Sequence, residues 1–321
     1  MDLLSFLSSC LLTAQFQYVG TSCDTRSLHL LDKIAERCRS LDEIRDFNTE
    51  TILPTLEKCS DHRAACWQRS RCLLVLSALC APPGTVALKF RHTFALSLAL
   101  RSIDLSSEND PTVLHAACTF WEAIAQLPSL RAAWLEDSAV LEHVSNSLYM
   151  IFASSLDQTL VATACQALYA TLFGAGRQLC LGLIERALIE TILDRVQDFL
   201  SCDQVLQCCC NLLEYAARNY SPGELRSHQR SLLALIDALL LVIRPVLKSD
   251  SFFSPASVDS MLAAAGAVLP CAVRLIDVGY SIPRNLLDEL LFVCSRAGHR
   301  SGFSETEAQD FRQRVSNITF Q

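Results

Sequence analysis

Lysine is nearly missing from this chain: Lys33, Lys58, Lys89 and Lys248 are the only ones among 27 basic residues, against 34 acidic ones. A net charge of −7 cannot supply the basic field that releases phosphate counterions, so direct binding to DNA or RNA is not expected. The basic residues that remain are arginines, whose planar fork suits protein contacts. Long unbroken apolar runs are also lacking. The run from Leu232 to Ile243 is interrupted by Asp237 and stopped by Arg244, and Met261 to Val273 contains Pro270, so neither is a membrane span. Alternating strand-like segments are hard to find as well.

Sequence signatures of chemistry are equally scarce. The seven histidines, at 29, 62, 92, 115, 143, 228 and 299, show no H-E-x-x-H spacing, and no G-x-S-x-G turn presents a nucleophile. Gly174-Ala175-Gly176 precedes a helix, but no strand leads into it and no Lys-Ser or Lys-Thr follows, so it reads as a helix-to-helix turn with Gly174 as a left-handed cap. Cys59, His62, Cys66 and Cys72, with Cys80 beyond, are spaced along one or two consecutive helices, with no second ligand pair to close a tetrahedron. Their expected role is a helix face with Cys66 and Cys72 turned inward. No catalytic residue, cofactor, metal or small-molecule substrate is therefore expected, and an enzyme with an unrecognised site is the last of the alternatives.

Cysteine, by contrast, is plentiful. Sixteen are present, and Cys38, Cys80, Cys165, Cys209 and Cys294 sit among apolar residues at helical spacing, where a free thiol acts as a small hydrophobe. Such placement predicts reduced thiols in a cytoplasmic or nuclear protein rather than a secreted disulfide framework. The apolar start, with Leu3, Leu4, Leu7, Leu11 and Leu12 on one stripe, has Asp2 where a leader carries basic residues, and reads as a first helix. Without secretion, the Asn317-Ile318-Thr319 acceptor has no consequence. Cys208, Cys209 and Cys210 are adjacent and point about 100° apart on a helix, so they cannot share one ligand set. Leu206, Cys209, Cys210 and Leu213 continue a core stripe.

Half of the residues are hydrophobic, and apolar positions recur at three- and four-residue steps almost throughout. The start signals repeat too. Asp110-Pro111, Ser221-Pro222 and Ser254-Pro255 each place a capping side chain before a proline that needs no N–H partner. Ser40 with Glu43 and Ser304 with Glu307 have capping-box spacing. About thirteen helices follow, among them 2–16, 61–81, 85–101, 111–127, 137–154, 157–173, 177–200, 203–219, 222–248 and 256–278.

Helices of this length joined by short turns are antiparallel neighbours, and two of them with their turns take roughly 40 residues. Asp137 to Gly174 shows it best, with Val140, Leu141, Val144, Leu148 and Ile151 on one stripe and Leu160, Val161, Ala164, Leu168 and Leu172 on the next. In this the chain resembles the armadillo and HEAT superfamily. The resemblance implies an all-α, irregular armadillo/HEAT-like α-solenoid of antiparallel helix pairs, forming one repeat domain over 1–321 or a segment of a longer array. Such proteins are scaffolds or adaptors for other proteins, so the expected partners are proteins, with no membrane. The cysteine-rich, lysine-poor helical character also resembles the C-terminal region of the meiosis inhibitor proteins, which implies partners in meiotic double-strand break formation and chromosome synapsis. Trp67, Arg71 and Trp134 are the expected partner contacts, because Trp and Arg dominate binding hot spots and these two tryptophans sit beside polar residues; core or turn packing is the alternative for the tryptophans and a solvated face for Arg71. Trp121, beside Phe120 on an apolar helix, is expected in the core.

Overall fold

A computed structural model describes residues 65–80, 94–105, 110–175, 177–199, 202–219 and 229–247, together with Glu108 and scattered positions between 259 and 313. Among the described residues every regular element is a helix. In chain order these are α1 (Cys66–Ala78), α2 (Phe94–Ile103), α3 (Pro111–Gln126), α4 (Pro128–Trp134), α5 (Ser138–Ser154), α6 (Gln158–Ala175), α7 (Arg177–Glu185), α8 (Leu188–Asp198), α9 (Asp203–Asn219) and α10 (Gln229–Leu247). The chain divides into two compact units, Met1–Phe152 and Ala153–Gln321, with the boundary in the last turn of α5. The expected first helices and the Cys59–His62 pair lie outside the described residues.

In the first unit α3 is the hub, packing against α1, α2 and α4. Its start follows from the sequence: Asp110 Oδ1 accepts from the N–H groups of Thr112 at 2.9 Å and Val113 at 3.4 Å, and Pro111 occupies the first turn. The Thr112 hydroxyl also donates to Asp110 Oδ1, and this hydrogen bond holds the carboxyl below its ordinary pKa against the opposing effect of burial, with the Thr112 N–H adding to it. The helix stops where Leu127 turns extended, because Pro128 disfavours the helical region for the residue before it. Pro128 then opens α4 at its first position, a short helix that the sequence reading leaves as a connection.

In the second unit α6 packs against α9, and α7 and α8 pack against α9 and each other. The helix expected over 177–200 is broken in two. Arg186 and Ala187 close a turn onto Leu183 and Ile184, and Ala187 sits at φ 71°, a left-handed conformation that costs an alanine about 1 kcal/mol. No glycine marks the break, so periodicity alone runs straight through it. Short α7, then α8, then long α9 make a helix triplet rather than a plain pair. Gly174, expected to cap α6, lies inside the helix, which runs on to Ala175.

Polar contacts between helices mark the repeat. In the first unit Arg69 pairs with buried Glu108, and the Ser77 hydroxyl donates to the Thr119 carbonyl at 3.5 Å. For Arg69, burial pulls the pKa down, but the hydrogen bond and charge of Glu108 outweigh it and the net shift is upward. In the second, Arg195 donates to the carbonyls of Ser155 at 3.0 Å and Ala153 at 2.9 Å, where α5 ends with unpaired carbonyls. Tyr215 donates to the Leu172 carbonyl at 2.6 Å, and Ser231 to Glu190 at 2.8 Å. The partners in these bonds are 39 to 43 residues apart, the length of one armadillo or HEAT repeat.

Candidate functional site

The α6 stripe Leu160, Val161, Ala164, Leu168 and Leu172 is buried as expected. Tyr169 and Phe173 each follow a stripe residue by one position, so they point about 100° away from it, onto the flank of the helix. There they meet Tyr215 of α9. The three ring centroids are 5.9, 6.1 and 6.2 Å apart, a closed triangle in which each aromatic touches the other two. Phe173 is 65% exposed, and both tyrosines are half-buried. Most large apolar side chains described here are buried; this phenylalanine stands out in a contiguous aromatic surface.

The triangle is held from below. The Tyr215 hydroxyl is engaged by Leu172, which fixes its ring, and Asn219 Nδ2 donates to the Tyr215 carbonyl at 2.8 Å. On the α9 side stands an ion pair, Glu214 with Arg218 one turn on, in which Arg218 Nη2 and Nε reach the same oxygen, Oε1, at 2.6 and 3.0 Å. Burial raises the Tyr169 phenol pKa, and the Glu214 charge raises it further against the opposing Arg218. Tyr215 is raised by burial, then by Cys180 and Tyr169.

Of the residues expected to contact partners, Trp67 and Arg71 are half-buried and share one face of α1, four positions apart. Trp134 is a correction. It is 1% exposed, with its ring edge-on to Phe120 at 5.4 Å and Trp121 at 6.3 Å, because the short helix that Pro128 starts carries it into the core. Trp121 is buried as expected, donating its indole N–H to the Ala99 carbonyl at 3.3 Å. The aromatic triangle contains no tryptophan, the residue type that most marks a hot spot in a sequence. The signal was nonetheless there: two aromatics one turn apart, off the core stripe, with a third about one repeat later.

The cysteine positions described are all free thiols. Cys208, Cys209 and Cys210 are all buried despite pointing in different directions, because α9 is flanked by α6, α7 and α8. Burial pushes the thiols of Cys80, Cys118 and Cys210 well up, which withholds the reactive thiolate. Cys72 and Cys80 are buried, while Cys66, expected inward, is half-buried with its sulfur 3.3 Å from Arg69 Nη2. Among the described residues no group of His, Cys, Asp or Glu is arranged to hold a metal ion, and no helix is long and apolar enough to cross a membrane.

No protein-family model matches the chain, and no curated protein matches it. Solved structures do. A computationally designed armadillo repeat protein for modular peptide recognition aligns with a TM-score of 0.56 at 16% identity, over 83% of this chain and 99% of its own. A designed armadillo repeat protein in complex with the peptide (KR)4 aligns at 0.54 and 15%, over 84% and 100%. An engineered protein of the Northeast Structural Genomics Consortium aligns at 0.56 and 15%, over 98% and 68%. The fold is an armadillo-like α-solenoid. The triplet of α7, α8 and α9 and the contact spacing of about 40 residues agree with it.

Proposed function

We propose that this chain is a noncatalytic scaffold that binds a segment of a partner protein on the surface formed by α6 and α9. The observation that carries the reading is the Tyr169–Phe173–Tyr215 triangle, with Phe173 largely exposed on an otherwise well-packed helix pair. Rigid aromatic side chains supply large contact area at small entropic cost, and they anchor partners more often than other residue types. Solenoid surfaces in general grip extended segments. The free, buried thiols support an intracellular setting.

The test is quantitative co-purification from the native tissue with the wild-type chain and with Phe173→Ser. Partners that depend on the triangle drop out of the variant's set; an unchanged set sinks the reading. Trp67 and Arg71 form a second proposed contact, on α1, and Trp67→Ala probes it in the same experiment. A place in meiotic chromosome synapsis and double-strand break formation is a narrower proposal, supported by the cysteine-rich, lysine-poor character alone. Expression confined to somatic tissue would end it.

A further inference from the structure

We infer that the junction of α7 and α8 is a hinge through which two copies of this chain exchange helices: α7 and α8 straighten into one helix, and α8, α9 and α10 of one copy pack on α6 and α7 of the other. The partner is thus a second copy of this chain, and nothing in the exchange depends on what α6 and α9 bind.

The elbow between the two helices is unfavourable on its own account. Ala187 stands at φ 71°, in the left-handed region where a Cβ crowds the following carbonyl. It also holds the cap position of α8, where no side chain accepts from the first turn, and alanine is among the poorest residues there. Nothing in the local sequence demands the break. From Arg177 to Asp198 there is no proline, and the single glycine, Gly182, lies inside α7 rather than at the turn. Cys180, Ile184, Leu188, Ile192 and Val196 are all buried and follow one another at four-residue steps straight through the elbow. On a continuous helix that row winds only about 40° per step. Straightening also gives the first N–H groups of α8 the last carbonyls of α7 as partners. Glu185, Arg186 and Ala187 are exposed, so the hinge opens without displacing a core residue. What holds the elbow shut is packing across it, of α9 on α6 and α7 and of α8 on α7, and each of those contacts can re-form with a second copy. A short hinge under strain is the condition that favours such exchange. In the exchanged dimer Tyr169 and Phe173 of one copy meet Tyr215 of the other, so the aromatic triangle is built twice, each time from both chains.

The experiment refolds the full chain from urea over a range of concentrations and measures its mass by light scattering after size exclusion. A dimer that grows with concentration and returns only slowly to monomer on dilution is expected, because exchange requires α8, α9 and α10 to detach. Ala187→Gly relieves the left-handed position in the monomer and places a glycine inside a helix in the dimer. Each dimer contains two hinges, so its dissociation constant should rise roughly a hundredfold to a thousandfold. Gly182→Ala, where no neighbouring atom lies within 4 Å of the added Cβ, is helical in both forms and should leave the ratio of dimer to monomer unchanged. Hydrogen exchange should show the amides from Arg186 to Glu190 better protected in the dimer than in the monomer, with α9 the same in both. A chain that stays monomeric at every concentration overturns the exchange. So does a dimer that Ala187→Gly leaves equally tight, or one whose elbow amides exchange as they do in the monomer, since either is a side-by-side contact with the elbow closed.

Discussion

Two aromatic triangles of nearly the same size occur in this molecule, one in each compact unit. Phe120, Trp121 and Trp134 lie with centroids 5.4 to 6.3 Å apart and are all buried; Tyr169, Phe173 and Tyr215 lie 5.9 to 6.2 Å apart, with one ring largely exposed. Ring spacing is therefore no guide to role. What separates them is the covering structure. The first triangle is drawn from α3, the hub of its unit, and from the short helix that a proline adds. The second lies on the flank of two helices, one position off each core stripe. A sealed triangle contributes to folding, whereas an open one is free to act on something else.

Truncating the sealed triangle should have the largest effect. Trp121→Ala removes a fully buried ring and its bond to the Ala99 carbonyl, and should cost about 3 to 5 kcal/mol in urea unfolding. A loss below about 1 kcal/mol would mean that this triangle is not the core of its unit. Next comes the second unit, whose helices are tied by polar groups in addition to apolar stripes. Arg195→Leu leaves the carbonyls of Ala153 and Ser155 without their donor and should cost roughly 1.5 to 3 kcal/mol by the same measurement. The comparison predicts that this polar loss exceeds any loss from the unit's exposed phenylalanine.

A pH titration separates the triangles without mutating the core. Tyr169 and Tyr215 have pKa values raised above the ordinary 10, by burial first and by neighbouring charges second. In the unfolded chain these phenols ionise earlier. Their contribution to stability is thus fully present below the unfolded value and is lost as pH rises through the folded one. Phenolate absorbance should show the two tyrosines titrating late, with Glu214→Gln moving Tyr169 back toward its ordinary value. Coincidence with free tyrosine would show that the open triangle is not packed as described.

Much of the fold was legible because caps and apolar periods agree. Helices expected over 203–219, 111–127 and 137–154 are found at Asp203–Asn219, Pro111–Gln126 and Ser138–Ser154. Two features were not legible, for definite reasons. The break at Ala187 lacks the glycine that usually announces a left-handed residue, and tertiary packing of Leu188, Ile189, Ile192 and Val196 imposes it. The burial of Trp134 depends on α4, a helix of seven residues too short for periodicity to register. The candidate site was legible only in part: the sequence places Tyr169 and Phe173 on one face, but Tyr215 joins them through the packing of α6 on α9, a contact between residues far apart in the chain.

The smallest expected change in stability is the one that decides what the open triangle is for. Phe173→Ser removes a side chain 65% exposed to water, so little apolar area returns to solvent on unfolding and the cost should stay within about 0.5 kcal/mol. The hydrogen bond from Tyr215 to the Leu172 carbonyl does not involve the Phe173 side chain and should persist, keeping the tyrosine pair in place. Unchanged urea unfolding together with lost partner capture would separate binding from folding at one residue. A stability loss as large as that of Trp121→Ala would instead make the second triangle a core element seen from its edge, and the contrast between the two would disappear.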